Sequence, residues 1–343
     1  MKRIVALVVA SLVIATLTAC GIPTGPVTSS QAPGASSQTP AEDDLIFIGF
    51  VQVGAESDWR MANTKSMQES FTEANGYKFE MVDAQQKTQK QITAIRDFIQ
   101  KDVDYIVLAP NTEAGWDTVL GEAKEARIPV IIVDRMIKTE DESLFTAWVG
   151  SNFLQEGYDA VTALVYALGK KGIDPETEEI KIVTLQGNLG SSAQIGRTEG
   201  FAEKMAEYPN WEILDRQSGD FTQEKGQEVM EGFLRTYPDL NVVIAENDNM
   251  AFGAVAAIKR AGRTCGPRGD ITIVSFDAVK AAFEAMIAGE IDADVECNPL
   301  HGPRVEELIK ALEAGESVEK ISYVEEGIFY AKDAAKILPT RAY

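Results

Sequence analysis

Short apolar runs alternate with longer amphipathic stretches along most of this chain. The runs at 46–51, 79–82, 105–108, 130–133, 182–185, 213–217, 242–245, 271–276 and 293–296 predict strands. Several are near-continuous in Val, Ile and Leu, as expected of parallel strands covered on both faces. The stretches at 88–101, 152–169, 192–207, 222–235, 248–261 and 300–314 predict helices. In the first of these, Ile92, Ile95 and Ile99 recur at steps of three and four, which places them on one helix face. Gly169 and Gly262 sit where helix C-caps belong, and Asn111-Thr112 precedes a further helix as an N-cap region. Strand–helix alternation of this kind builds α/β sheets of the doubly wound type. Residues 44–150 and 151–296 each hold four or five such units, so two similar lobes are expected.

The first forty residues break the pattern. Lys2 and Arg3 precede a mostly apolar stretch at 4–19, too short for a membrane span and suited to a secretory signal. It ends Leu17-Thr18-Ala19-Cys20-Gly21, which resembles a bacterial lipoprotein cleavage box with Cys20 as the lipidated residue. Fourteen of residues 21–40 are Gly, Pro, Ser or Thr and none is charged, the composition of a flexible tether. The expected organisation is therefore a signal peptide at 1–20, a tether at 21–43, and a globular part of two lobes beyond it.

Two of the 32 Lys and Arg lie in the signal segment. The rest of the chain carries 30 basic against 53 acidic side chains, a formal charge of −23. So acidic a body repels nucleic acid and anionic lipid headgroups. Beyond Cys20, only Cys265 and Cys297 remain. An exported protein could pair them, and two free buried thiols fit the sequence equally well.

The chemistry that is missing narrows the function. The chain has one His, His301, placed at a helix start or on the surface, and no G-x-S-x-G elbow. Phosphate-binding loops of the G-x-x-x-x-G-K-[ST] type are absent, as are His/Cys clusters at metal spacing. No cofactor, metal or catalytic residue is expected, and an enzyme has no support.

Ligands of open α/β sheets sit beyond the carboxyl ends of the strands. Trp59 and Arg60 follow the first run, and Asp134 and Arg135 follow the run at 130–133. In the second half, Arg197 lies near a helix start, Phe221 follows the run at 213–217, Asn247 that at 242–245 and Asp277 that at 271–276, while Glu296 ends the last run. Each residue alone has an ordinary reading: a half-buried Trp, a local ion pair, a core Phe, an N-cap. Together they form a mixed set of aromatic faces, carboxylates, guanidinium groups and an amide. A sugar needs such a mixture, because each hydroxyl both donates and accepts while its C–H face is apolar.

Five motifs then carry a resemblance: Val133-Asp134-Arg135, Gly219-Asp220-Phe221, Glu246-Asn247-Asp248-Asn249-Met250-Ala251, Ser275-Phe276-Asp277 and Val295-Glu296-Cys297-Asn298-Pro299. The chain from about 44 onward resembles the periplasmic sugar-binding proteins of ABC importers, of the ribose and galactose type. Gly54-Ala55-Glu56-Ser57-Asp58-Trp59-Arg60 and Gln217-Ser218-Gly219-Asp220-Phe221-Thr222 are most similar to its galactofuranose-binding members. Ribose binders have paired Phe where Trp59-Arg60 stands.

The resemblance implies two doubly wound parallel-sheet lobes on a three-segment hinge, the type I periplasmic binding protein fold. Lobe 1 would be 44–150 plus 298–328, and lobe 2 would be 151–297 plus 329–343, with crossings near Ser151, Cys297 and Phe329. It also implies that Trp59, Arg60, Asp134, Arg135, Arg197, Phe221, Asn247, Asp277 and Glu296 hold a monosaccharide, either galactofuranose or a related furanose or pentose. A monomeric lipoprotein on the outer side of the cell membrane would close on that sugar and deliver it to an ABC permease with its ATPase. The alternative is a sensory lipoprotein reporting the sugar to a receptor.

Overall fold

The computed structural model describes residues 45–343. The signal segment, Cys20 and the tether expected at 21–43 lie outside the described residues.

Two six-stranded sheets form the body. The first contains β1 (Ile46–Gln52), β2 (Tyr77–Asp83), β3 (Tyr105–Leu108), β4 (Val130–Val133), β5 (Ala147–Gly150) and β11 (Ile321–Tyr323), in the order β11-β5-β4-β3-β1-β2. The second contains β6 (Ile180–Gln186), β7 (Trp211–Ser218), β8 (Val242–Ala245), β9 (Thr272–Asp277), β10 (Ala293–Glu296) and β12 (Ile328–Tyr330), in the order β12-β10-β9-β8-β6-β7. The two orders are the same arrangement. All pairs are parallel except β10 with β12. The order reverses between β1 and β3 and between β6 and β8, the place where such sheets open a crevice at their carboxyl ends.

Helices α1 (Asp58–Ser70), α2 (Thr88–Gln100), α3 (Asp117–Glu125) and α9 (Gly302–Glu313) accompany the first sheet, and α4 (Phe153–Lys171), α5 (Ser192–Met205), α6 (Gln223–Thr236), α7 (Asp248–Arg260), α8 (Lys280–Ala288) and α10 (Ala331–Ile337) the second. Each sheet is thereby covered on both faces by apolar clusters. Central strands such as β4 and β8 are buried at every position, the reason their sequences do not alternate. Ser57, Asn152, Ser191, Thr222 and Asn247 cap α1, α4, α5, α6 and α7, each accepting a backbone N–H of the first turn.

Several expectations shift. In α2 the buried stripe is Gln91, Ala94, Ile95 and Phe98, with Ile92 and Ile99 at its margins. Gly169 lies inside α4, and the left-handed cap is Gly172, at φ 77°. Gly262 does follow its helix in that conformation, at φ 75°. Asn111 caps nothing, since α3 begins after Trp116; its amide donates to Gln86 O and Thr88 Oγ1. His301 stands at the start of α9 but is fully buried, not on the surface. Strands β5, β11 and β12 and helices α8 and α10 are additional to the predicted set.

The chain passes between the sheets after β5, after β10, and at 324–327 between β11 and β12. The last passage precedes Phe329, which is already inside β12. Cys265 and Cys297 are both free and buried.

Candidate functional site

The carboxyl ends of the two sheets meet around a narrow cavity, with about 280 Å³ of space between the walls when its opening to solvent is included. Eight of the nine candidate residues line it: Trp59, Arg60, Asp134, Arg135, Arg197, Phe221, Asn247 and Asp277. Glu56, Ser57, Ala193 and Cys297 complete the lining. Each of the eight candidates is at most 5% exposed, so the two halves are closed over the cavity.

The first-half wall begins at the cap of α1. Ser57 Oγ accepts Arg60 N at 3.1 Å, which sets Trp59 and Arg60 in the first helical turn. The Arg60 guanidinium lies 4.7 Å above the Trp59 ring. It donates to Glu56 at 3.1 Å and Gln52 at 3.2 Å, and its Nη2 lies 2.7 Å from Asp134 Oδ2. Arg135 lies 3.8 Å from Asp134 and 3.9 Å from Glu56, and donates to Asn111 O at 3.1 Å. Burial opposes the charge on Asp134, but Arg60 and Arg135 outweigh it and hold the carboxyl below its usual range. Burial, joined by the neighbouring Arg60, brings Arg135 down to about 10. This wall is therefore a fixed ion network at neutral pH. The Arg60–Asp134 contact is close but poorly directed. Asp134 Oδ2 and Glu56 Oε2 are buried without a hydrogen-bond partner among the described residues. Such oxygens call for donors from whatever fills the cavity.

The second-half wall is built differently. Arg197, from the second turn of α5, donates to Glu156 at 2.6 Å and to Glu246 O, and stands 3.6 Å from Asp277. Burial pushes Asp277 well above the carboxylate range despite Arg197, and pushes Glu246 up to about 7. Phe221 faces the cavity from beyond β7, with Arg135 of the opposite wall 5.1 Å from its ring centre. Asn247 caps α7 and donates to Phe221 O at 3.1 Å, so it positions the aromatic ring as well as lining the cavity. Asp134, Phe221 and Asp277 have φ of 63°, 59° and 109°, left-handed conformations that non-glycine residues rarely adopt. Strain of this kind concentrates at binding sites.

Glu296 is a correction. Successive side chains on a strand point to opposite faces, and at the end of β10 it is Cys297 that faces the cavity. Glu296 turns away to accept from Arg341 at 2.6 Å and from Tyr343 Oη at 2.8 Å. Asp248 is also elsewhere, bonded to Ser275 and to Val279 N behind the wall. Two groups that the strand-end reading passed over carry much of the electrostatics. Glu56 was discoverable from its i,i+4 spacing to Arg60. Glu156, 41 residues from Arg197, had no local signal.

Contacts between the halves rim the cavity. Trp59 Nε1 donates to Cys297 O at 2.7 Å, Asp58 N to Asn249 Oδ1 at 3.0 Å, Glu113 N to Gly190 O at 2.9 Å, Met136 N to Ser192 Oγ at 2.8 Å and Asn188 Nδ2 to Asn111 Oδ1 at 2.7 Å.

A family model described as periplasmic binding protein domain matches residues 48–301. The galactofuranose-binding protein YtfQ of Escherichia coli (strain K12) is 40% identical over 295 residues, 85% of this chain and 89% of that protein. A crystal structure from Mycobacterium smegmatis in complex with β-D-fucofuranose superposes with TM-score 0.82 at 40% identity, covering 87% of this chain and 95% of that one. The binding component of the arabinose ABC transporter from Shewanella sp. ANA-3, bound to α- and β-L-arabinofuranose, gives TM-score 0.80 at 40% identity, covering 86% and 95%.

Proposed function

The chain belongs to the periplasmic binding protein family, and we propose that it captures a furanose sugar between its two sheets and hands it to an ABC importer. Its relatives are binding proteins of transport systems, and the chain is one of them rather than an enzyme. The observation that carries the sugar reading is the buried cavity, with a carboxylate held by arginines on one wall and a carboxyl raised by burial on the other; the relatives' ligands support the furanose form.

The relatives' ligands sharpen the choice. Galactofuranose, fucofuranose and L-arabinofuranose share their configuration at C2, C3 and C4 and differ in the arm carried on C4. A site common to them reads the ring hydroxyls and tolerates variation of the arm. Here Asp134, Arg60 and Arg135 would hold hydroxyls from one side, and Arg197, Asn247 and Asp277 from the other. Trp59 and Phe221 would cover the C–H faces. The contacts at the rim support a mechanism in which the halves part at the three chain passages to admit the sugar and close over it. The Cys20 box supports lipid anchoring outside the cell membrane; as a monomer there, the chain would present both halves together to the permease only in its closed form. A Cys20→Ala variant should lose labelling by a fatty-acid analogue and appear in the medium.

Calorimetry tests the ligand. The purified chain, unfolded and refolded to strip carried sugar, is titrated with D-galactose, L-arabinose, D-ribose and D-glucose, with ¹³C at C1 reporting ring form in the complex. Galactose or arabinose should bind one-to-one as the furanose. An unmatched hydroxyl costs about 1–3 kcal/mol, so ribose should bind roughly ten- to a hundredfold more weakly. A pyranose signal in the complex would discard the furanose reading, and no heat with any sugar would discard the sugar.

A further inference from the structure

The three passages between the sheets meet in one buried cluster beneath the cavity. Ser151 comes from the first passage, Cys297 from the second and Glu326 from the third, and Glu156 joins them from the first turn of α4. A carboxyl oxygen of Glu156, one of Glu326 and the Cys297 Sγ all lie within 4.8 Å of one another. The Ser151 hydroxyl donates to Glu326 Oε1 and lies 3.3 Å from Cys297 Sγ. Asn298 N donates to the same Glu326 oxygen at 2.8 Å. Glu156 Oε2 takes Arg197 at 2.6 Å, while its Oε1 is buried with no partner among the described residues.

Two carboxylates this close, Glu156 buried and Glu326 half-buried, cannot both ionise cheaply. A proton on either one turns an acceptor into a donor. The geometry also allows a metal ion, but it would sit beside the Arg197 guanidinium, which already neutralises Glu156. It would also have to displace the Cys297 proton, which burial holds well above the ordinary thiol value. We propose that Glu156 and Glu326 share one proton across the chain passages, and that through this proton they act as positioning residues for Arg197 in the cavity. The sugar-affinity part of the claim rests on the function proposed above; the shared proton does not.

The surroundings agree. Burial is the largest influence on both acids and pushes Glu326 up to about 9, with Glu156 adding to it. Burial likewise raises Glu156, Asp134 adds to that, and Arg197 opposes it. Asp277 and Tyr343 also face the cluster through Cys297, both raised by burial. In the unfolded chain a Glu releases its proton near pH 4.3. Between that value and about pH 9 the folded protein therefore binds an extra proton, and its folding constant falls as pH rises, by tenfold per pH unit for one whole proton.

The test compares the wild type with Glu326→Gln, using the full ligand-free protein in urea at pH 6, 7 and 8. The wild-type folding constant should fall more steeply than the variant's, by a factor approaching tenfold per pH unit. The infrared difference between the wild type and Glu326→Gln gives a second reading: a protonated-carboxyl band present in the wild type alone at pH 7 and lost above pH 9. Equal slopes, or no such band at pH 7, would overturn the shared proton. Titrating L-arabinose in buffers of different ionisation enthalpy then reads the positioning role. Glu326→Gln should reduce the protons taken up on binding and flatten the pH profile of affinity. A variant that loses the stability slope yet keeps the wild-type affinity profile would overturn the positioning role alone. Heatless titrations at every pH would count against the sugar and leave the stability result standing.

Discussion

The two walls of the cavity contain similar groups and handle charge in opposite ways. On the first, Arg60 and Arg135 face Asp134 and Glu56, and Asp134 is held ionised. On the second, a single arginine, Arg197, faces Glu156 and Asp277, and burial keeps both acids inclined to hold protons. The difference lies in the count of guanidinium groups per pair of carboxylates. With two, burial is offset and the wall is an ion network. With one, burial prevails and the wall can donate hydrogen bonds from protonated acids. A hydroxyl-rich ligand gains from meeting both.

Removing the arginines should break this contrast most strongly. Taking one partner from a buried ion pair costs about 3–5 kcal/mol. Arg197→Met should lose about that much stability at pH 8 and less at pH 6, since burial raises Glu156 and Asp277 and a lower pH lets such acids hold protons in place of the lost arginine. Arg60→Met should lose a comparable amount and keep most of the loss at pH 6, because Arg135 still holds Asp134 ionised. Urea denaturation at both pH values separates them, and equal pH responses would erase the distinction.

Gly187→Ala probes the aromatic part of the second wall. A Cβ at this position would lie 1.9 Å from Phe221 Cζ, so the ring must move toward the cavity. Sugar binding should fall below detection in calorimetry, with a stability loss of about 1–3 kcal/mol. Unchanged affinity would remove Phe221 from the site.

The acids behind the second wall make a smaller, whole-protein effect. Burial raises Asp292 to about 6 and Glu246 and Asp294 to about 7. Unfolded carboxyls release their protons near pH 4. The folded state therefore binds the extra protons between about pH 4 and 7, and stability falls as pH rises through that window. The urea midpoint should be higher at pH 5 than at pH 8, and the reverse order would contradict the assignment. Smallest of all is Glu296→Gln. It loosens the Arg341 contact but leaves the cavity alone, so sugar affinity should stay within about threefold, less than the worth of one net hydrogen bond.

Much of this was legible in the sequence because it is local. β3, β4, β8 and β10 fall on their predicted residues, since a buried parallel strand writes itself as a short apolar run. The strand-end rule brought eight residues from both halves to one cavity. What escaped depends on distance or on phase. β11 and β12 are three residues each and exist only through their edge pairing. Glu296 and Cys297 differ by one strand position, and strand-end position alone does not tell which faces inward. Glu156 and Glu326 are acids among 53 in the sequence, distinguished only by a fold that brings them together. His301 does stand at the helix start its sequence suggests, but it is buried rather than on the surface. Here the Asn63 amide contacts it at 3.2 Å and the Trp59 ring packs edge-on against it, and burial lowers its basicity to about 4.

The hydrogen bonds that join the two halves at the rim of the cavity have a kinetic consequence. With the lining buried, a sugar held there as proposed would leave only as fast as those bonds open. Two sugars of different affinity would then differ in how far they slow that opening, and release would depend on the gate rather than on diffusion out of an open bowl. A membrane partner that pries apart the contacts at Asn249, Gly190 and Ser192 would speed release of any sugar without touching one of its hydroxyls.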